Sequence, residues 1–175
     1  MLIGYVDEMI TAEEQFRELI LNKRKMTSEE LAYIAGFFDG EGYIGVIEYH
    51  NTHKLLVTVT NTDDSIPNLL KDFFGGTIHV YWDGNPKHRT RYTWRLDSKK
   101  AVVFLSAIQP YARQKSKHIR LALEFQMTQH HGSTPGKWGY GSSRYTDDEW
   151  EYREYLCEEM AILNKRNGHG NTSGK

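Results

Sequence analysis

Two acidic side chains, Asp39 and Glu41, stand where a helical stretch runs out, in Ile34-Ala35-Gly36-Phe37-Phe38-Asp39-Gly40-Glu41-Gly42. The carboxyl end of a helix is the negative end of its macrodipole, so acids there are disfavoured by roughly a few tenths of a kcal/mol each. Local rules of this kind tend to fail at functional sites. A divalent cation reverses the sign. The Glu41 carboxylate and a free main-chain carbonyl such as that of Gly40 are hard oxygen donors of the kind Mg2+ or Mn2+ takes. Without a cation, the same string is a helix ending in a glycine-rich turn with solvated acids. The two carboxylates alone leave both readings open. Just upstream, Ala35 and Gly36 put almost no side chain on one helical face, although Gly in a helix interior costs about 0.5–1 kcal/mol relative to Ala. Small residues let two helix backbones approach closely.

The other chemical feature is a concentration of cations. Between Gly76 and Arg120 there are ten Lys and Arg against two Asp, while the chain as a whole has a formal net charge of -1. A nearly neutral protein with a basic middle can hold a polyanion on one face. A solvated charged surface explains the same numbers equally well. Within the basic stretch, Arg89, Arg91, Thr93 and Arg95 alternate as residues sharing one face of a strand do, and His79, Tyr81 and Asp83 form a second such row. No other constellation competes. His118, His130, His131 and His169 do not make a zinc spacing with Cys157. There is no phosphate-cradling glycine loop and no Ser-His-Asp order to pursue.

The elements that position these residues can be read from periodicity. Apolar residues at helical spacing predict a helix over 8–24. Another starts at Thr27, where Thr27 and Glu30 fit a capping box, and runs through the stripe Leu31, Ile34, Ala35 and Phe38 to Gly40 or Gly42. Strands are expected over 43–49 and 55–61, with a turn at His50-Asn51-Thr52-His53. A helix over 64–74 ends at Gly75-Gly76. A second strand pair, 77–82 and 89–96, flanks the turn residues Asp83-Gly84-Asn85-Pro86. Helices are expected over 99–109, stopped by Pro110, over 114–129, and from Thr146 to about Asn164. The Gly- and Ser-rich stretch 131–145 reads as a loop. The order implies an α+β fold, an αββαββα core around one four-stranded antiparallel sheet, with helical extensions at both ends. The expected divisions are an N-terminal helical extension over 1–27, the central domain over 28–129, a loop and C-terminal helix over 130–167, and a disordered tail over 168–175.

Composition narrows the class. The chain has 175 residues, 39% of them hydrophobic and 26% charged, as in a soluble globular protein of one domain with short appendages. Its single cysteine rules out a disulfide framework within one chain and suggests a reducing compartment. No apolar run approaches the roughly 20 residues of a membrane span, and the acidic start is unlike a signal peptide. An intracellular protein is expected, with no membrane partner and no small-molecule substrate.

The nine-residue string Ile34 to Gly42, with Leu31-Ala32-Tyr33 before it and Tyr43-Ile44-Gly45-Val46 after it, resembles the LAGLIDADG signature of homing endonucleases. The resemblance extends over roughly residues 28–129. Val59-Thr60-Asn61-Thr62-Asp63 resembles the end of the family's second strand, and Gln109-Pro110-Tyr111-Ala112-Arg113-Gln114-Lys115-Ser116-Lys117 its later basic patch. A weaker likeness covers the end of the C-terminal helix, from Met160 to Gly168. The signature occurs once, so the resemblance is to single-motif members, which pair their motif helices across a two-fold axis. It implies a homodimer joined through Ala35, Gly36, Phe37 and Asp39, and a Mg2+- or Mn2+-dependent double-strand endonuclease acting at a long pseudo-palindromic site. Glu41 and Gly40 would be metal ligands. Lys115 would offset charge on the scissile phosphate, and Asn61 would orient water. Asp39 matches the family's other acid, whose role looks structural. Asn61 is shorter than the Gln often found there, so a water held by it would sit differently.

Double-stranded DNA would lie along the sheet, since a two-stranded ribbon fits the major groove. The residues expected to meet it are Glu48, His50, Asn51, His53 and Lys54 near the first hairpin, and His79, Tyr81, Arg89, Arg91, Thr93 and Arg95 in the second. Arg113 and Lys117 lie beside Lys115 in the basic patch. The alternatives are a non-cleaving nucleic-acid-binding relative, such as an intron maturase or a DNA-binding regulator, and a purely structural interaction domain. Retention of Glu41 and Lys115 favours the nuclease over the first. Salt-dependent binding to duplex DNA separates it from the second.

Overall fold

The computed structural model of the protein describes residues 26–49, 52–128 and 145–167. The helix expected over 8–24, nearly all of the loop expected over 131–145, the tail from 168, and His50 and Asn51 lie outside the described residues. The described elements are helix α1 (Ser28–Glu41), strands β1 (Gly42–Tyr49) and β2 (Thr52–Asn61), helix α2 (Ser65–Phe74), strands β3 (Thr77–Tyr81) and β4 (Arg91–Asp97), and helices α3 (Ser98–Ile108), α4 (Ser116–Met127) and α5 (Asp147–Asn167). This is the α+β, αββαββα core expected from periodicity, with helical additions.

Local chemistry sets the boundaries. The Thr27 hydroxyl accepts from the Glu30 N–H and the Glu30 carboxylate accepts from the Thr27 N–H, at 3.2 and 3.0 Å, which starts α1. Gly75, at φ 71°, ends α2. Gly76 follows at φ 89°, and a Cβ on it would lie 2.5 Å from the Arg95 carbonyl oxygen, so only glycine fits there. In the turn between β3 and β4, the Asp83 carboxylate accepts from the Asn85 N–H at 3.0 Å and pairs with His88.

The four strands form one antiparallel sheet in the order β1-β2-β4-β3. One face is buried under the helices. Ile44, Leu55, Val57, Val59, Trp94 and Leu96 point into this core and meet Ile34, Ala35, Phe38, Leu70 and Phe104. Phe104 is its hub, with Phe38, Phe74 and Trp94 meeting its ring edge-on at 5.0, 4.9 and 5.1 Å. The Trp94 indole donates to the Gly75 carbonyl at 2.8 Å, so the one polar atom of that ring is satisfied. The strand period then turns every second residue to the opposite face.

Candidate active site and nucleic-acid face

At the carboxyl end of α1 the two acids part company. The Asp39 carboxylate turns inward and accepts three main-chain bonds from the loop before α4: from the N–H groups of Arg113 at 2.7 Å, Gln114 at 3.1 Å and Lys115 at 3.0 Å. It acts as a cap for a segment 76 residues further on in the chain. The Lys115 ammonium in turn donates to the Asp39 carbonyl at 2.8 Å. Lys115 thus occupies the negative end of α1, whose own last turn has no basic residue. Burial pushes its pKa below the ordinary lysine value, while the charges of Asp39 and Glu41 oppose that shift. Lys115 therefore keeps company with both acids. Glu41, the last residue of α1, is exposed.

Two further groups adjoin this junction. Asn61 ends β2, two residues past the Val59–Gly42 pair, and so lies at the same end of the sheet as the α1 terminus. Its side-chain oxygen accepts from the Asp63 N–H at 3.2 Å. His118, one turn into α4, is buried; burial and the Lys115 charge hold its pKa below the usual histidine value, against a hydrogen bond to the Leu163 main chain. Among the described residues no three His, Cys, Asp or Glu side chains gather as a metal-binding group.

The three glycines of the α1 terminus differ in a telling way. A Cβ on Gly42 would fall 2.2 Å from the Phe38 ring, so the chain's own packing demands glycine there. A Cβ on Gly36 or Gly40 would meet nothing within 4 Å. Both are exposed, as is Ala32, and the three recur every fourth residue on the outer side of α1. Ala32, Gly36 and Asp39 line a cleft of about 420 Å³ whose other wall is Pro110, Tyr111 and Arg113. Ala35 does not belong to this surface. It is 0% exposed and packs in the core beside Ile34 and Phe38, which corrects its expected place at a dimer contact. Phe37 is half-buried and packs against the same core. Ala32 is the member sequence reasoning missed, although its spacing from Gly36 signals it.

The open face of the sheet is a separate surface. Outward-facing residues, by register, are Lys54, Leu56, Thr58 and Thr60 on β2, Arg91, Thr93, Arg95 and Asp97 on β4, and Thr77, His79 and Tyr81 on β3. Thr60 and Thr93 share a hydroxyl hydrogen bond of 2.9 Å, and the Arg91 guanidinium lies 4.7 Å from the centre of the Tyr81 ring. The expected rows on β3 and β4 do share this face, apart from Asp83 and Arg89, which lie exposed in the turn between the two strands. Arg113 and Lys117 are exposed beside the α1–α4 junction. Two residues of the first hairpin are misplaced by the sequence reading. Glu48 and His53 pair with each other in the row of Val46 and Leu55, the helix-bearing side. The His53 ring lies 5.8 Å from that of Trp150 on α5, and its carbonyl accepts from buried Arg153 at 3.4 Å. The polar residue types suggested a reading surface, but α5 covers His53, and Glu48, though exposed, faces the same side. Asp97, Thr58, Thr60 and Thr77 were missed. Strand alternation from Lys54 and Arg95 signals them.

Several solved structures share this architecture. The homing endonuclease I-CvuI, solved in complex with a DNA target, superposes with a TM-score of 0.61 at 16% identity over 83% of this chain and 86% of that one. The archaeal intron-encoded homing endonuclease I-Vdi141I, complexed with DNA, gives 0.60 at 17% identity over 84% and 89%. The chain has the homing-endonuclease fold. A LAGLIDADG homing endonuclease with a longer chain, I-GzeII, gives a TM-score of 0.55 at 14% identity, and this chain spans 49% of its length. Comparison of the sequence with family models and with curated proteins returns no match. The homing-endonuclease fold is thus carried here by a sequence far from those of its structural neighbours. No helix among the described residues is long and apolar enough to cross a membrane.

Proposed function

We propose that the protein is a LAGLIDADG-type homing endonuclease of the single-motif kind, which makes double-strand cuts in DNA as a homodimer. The observation that carries this reading is the junction at the end of α1. One acid, Asp39, is consumed in holding the 113–115 loop, which leaves the other, Glu41, exposed beside a lysine anchored on the same helix end.

The donor set suits a hard divalent cation such as Mg2+ or Mn2+: Glu41 and the Gly40 carbonyl offer oxygen only. When bound, such a cation supplies an activated water and offsets charge on the leaving oxygen. The chain's own groups do the rest. Lys115 holds positive charge where charge develops on the scissile phosphate, and Asn61 orients a water. Arg91, Thr93, Arg95, His79 and Tyr81 read or grip the duplex from the sheet. One chain presents one Glu41, and two strands need two. Ala32, Gly36 and Gly40 leave room for the α1 helix of a second copy along a two-fold axis, which brings the two acids together and makes the recognised site pseudo-palindromic.

A plasmid library with random inserts, incubated with magnesium, tests the chemistry. The wild-type chain is expected to linearise a subset, and Glu41→Gln to bind those members without cutting them. A Glu41→Gln variant that cuts at the wild-type rate removes Glu41 from the reaction. Sedimentation tests the assembly: Gly36→Leu has room in the isolated chain, because a Cβ there meets nothing within 4 Å and the adjoining cleft holds about 420 Å³, yet it should leave a folded monomer without activity. A Gly36→Leu variant that still dimerises and cuts places the contact elsewhere.

A further inference from the structure

Asp97 ends β4 and is also the N-cap of α3. An aspartate in that position ordinarily accepts a hydrogen bond from the second or third N–H of its helix. This one makes no such bond. Its carboxylate turns across the open face of the sheet, where it pairs with the Lys54 ammonium and stands 4.0 Å from the Arg95 guanidinium. The register explains the reach. Leu56 lies opposite Asp97, Lys54 is the next outward residue along β2, and Arg95 precedes Asp97 in the outward row of β4. The chain passes from β4 into α3 through Ser98 at φ 50°, the one positive-φ residue other than glycine among the described residues. A side chain rarely adopts that conformation, and such departures collect where function requires a fixed geometry.

An acid on this face opposes any polyanion laid against it. Asp97 nonetheless forgoes its cap to stand there, between two cations. A free Lys or Arg is drawn to the nearest phosphate whatever the sequence, and it releases a counterion in doing so. A cation already neutralised by a carboxylate neutralises little phosphate charge, and so displaces few of the counterions condensed on the DNA. Its remaining N–H donors are held in a set direction, which base-edge recognition requires.

We propose that Asp97 is a specificity-determining residue of the nucleic-acid face: its carboxylate keeps Lys54 and Arg95 off the phosphates and aims their donors at base edges. At this end of the sheet the contribution is then choice of sequence rather than bulk attraction. The proposal rests on the DNA-binding reading above and adds which residue tunes it.

The test measures binding of wild type, Asp97→Asn, Lys54→Gln and the double variant to a mixed-sequence DNA duplex across a salt series, with selection from a random duplex pool and a thermal melt of each protein. Asp97→Asn is expected to bind mixed-sequence DNA about tenfold more tightly near 0.1 M salt, with a salt slope steeper by about 1–2, because up to two cations are released to phosphates. Its pool should lose preference at one or two neighbouring base pairs. Lys54→Gln should leave the wild-type slope unchanged but take back about 0.9 of it in the Asp97→Asn background. A merely structural role for Asp97 moves the melt and not this interdependence of slopes. An Asp97→Asn variant with the wild-type slope and base preferences overturns the proposal. So does a Lys54→Gln slope loss that is the same in both backgrounds. If Asp97→Asn fails to fold, Asp97→Ser, an uncharged residue suited to the N-cap, takes its place in every arm of the test. A wild-type chain that binds no duplex DNA overturns the DNA reading itself, a result distinct from failure of Asp97 alone.

Discussion

Asp39→Asn separates holding the site together from performing its chemistry. The substitution keeps the side-chain shape and removes the charge. In the native chain one carboxylate oxygen accepts from the Arg113 and Gln114 N–H groups at 2.7 and 3.1 Å, and the other from the Lys115 N–H at 3.0 Å. An amide can satisfy the first pair with its oxygen, but its NH2 then faces a third N–H, donor against donor. Hydrogen bonds to a charged acceptor contribute about 1.5–3 kcal/mol each. Two of these three bonds lie toward solvent, where water replaces part of the loss. One bond lost and two weakened then cost about 2–3 kcal/mol. With about 2–4 °C per kcal/mol for a chain of this size, the melting midpoint should fall by roughly 4–12 °C. The loop released is the one that delivers Lys115, so magnesium-dependent nicking should fall as well, even well below the new midpoint. Glu41→Gln, at an exposed position, should lose nicking with no change in the melt. Thermal melts and plasmid nicking on the same preparations read both quantities. An Asp39→Asn variant that melts with the wild type refutes the three-bond anchor, and with it the account of how Lys115 is placed.

Three other perturbations have defined outcomes. Arg153 is 0% exposed between the rings of Phe125 and Tyr145, with one nitrogen donating to Thr128 at 2.6 Å and Nε lacking a partner. In urea denaturation Arg153→Met should be neutral or up to about 2 kcal/mol more stable, whereas Arg153→Ala should lose about 2–4 kcal/mol through its cavity; equal losses would mean that pairing rather than packing holds α5. The folded pKa of His118 lies below its ordinary 6.5, so between those two values the unfolded chain binds more protons and stability falls as pH falls. His118→Gln should flatten that part of the stability–pH curve, and a curve unchanged by the substitution assigns the slope to other groups. Burial lifts the Cys157 thiol to about 11, so near pH 8 the folded chain should resist iodoacetamide while the urea-unfolded chain reacts normally. Fast alkylation of the folded chain would place Cys157 at the surface.

Periodicity in the sequence is a good guide to the elements, because their boundaries are set locally. The Thr27–Glu30 capping box, Gly75 and Pro110 are all legible without tertiary context. The site is legible where it lies within one element. Asp39, Gly40 and Glu41 are contiguous, and the rows of β3 and β4 follow from strand alternation. Residue type misleads where it is weighed above period. Ala35 shares the apolar stripe of Leu31, Ile34 and Phe38, and that period puts it in the core despite its small size. His53 shares the row of Leu55 and Val57, and its partner Arg153 stands 100 residues away in the sequence. No local pattern announces that α5 will close over that end of the hairpin. The three-bond anchor on Asp39 is invisible for the same reason, since its donors are main-chain groups and carry no side-chain signature.

The end of α1 shows why two acids tolerated in a poor place can take different roles. Successive residues of a helix are turned by about 100°, so two positions apart they point to nearly opposite sides. Asp39 can therefore turn into the 113–115 loop while Glu41 stays exposed to solvent. The unfavourable field at this helix end is met from outside the helix. Lys115 brings its ammonium to the Asp39 carbonyl, and it arrives there because Asp39 has already fixed the loop that carries it. The acid that satisfies the loop thus recruits the cation that makes the second acid tolerable. Among the described residues Glu41 has no comparable duty. Its exposure is stable without being neutral, and what remains unbalanced at that point is negative charge beside oxygen donors, the condition under which a divalent cation binds with most to gain.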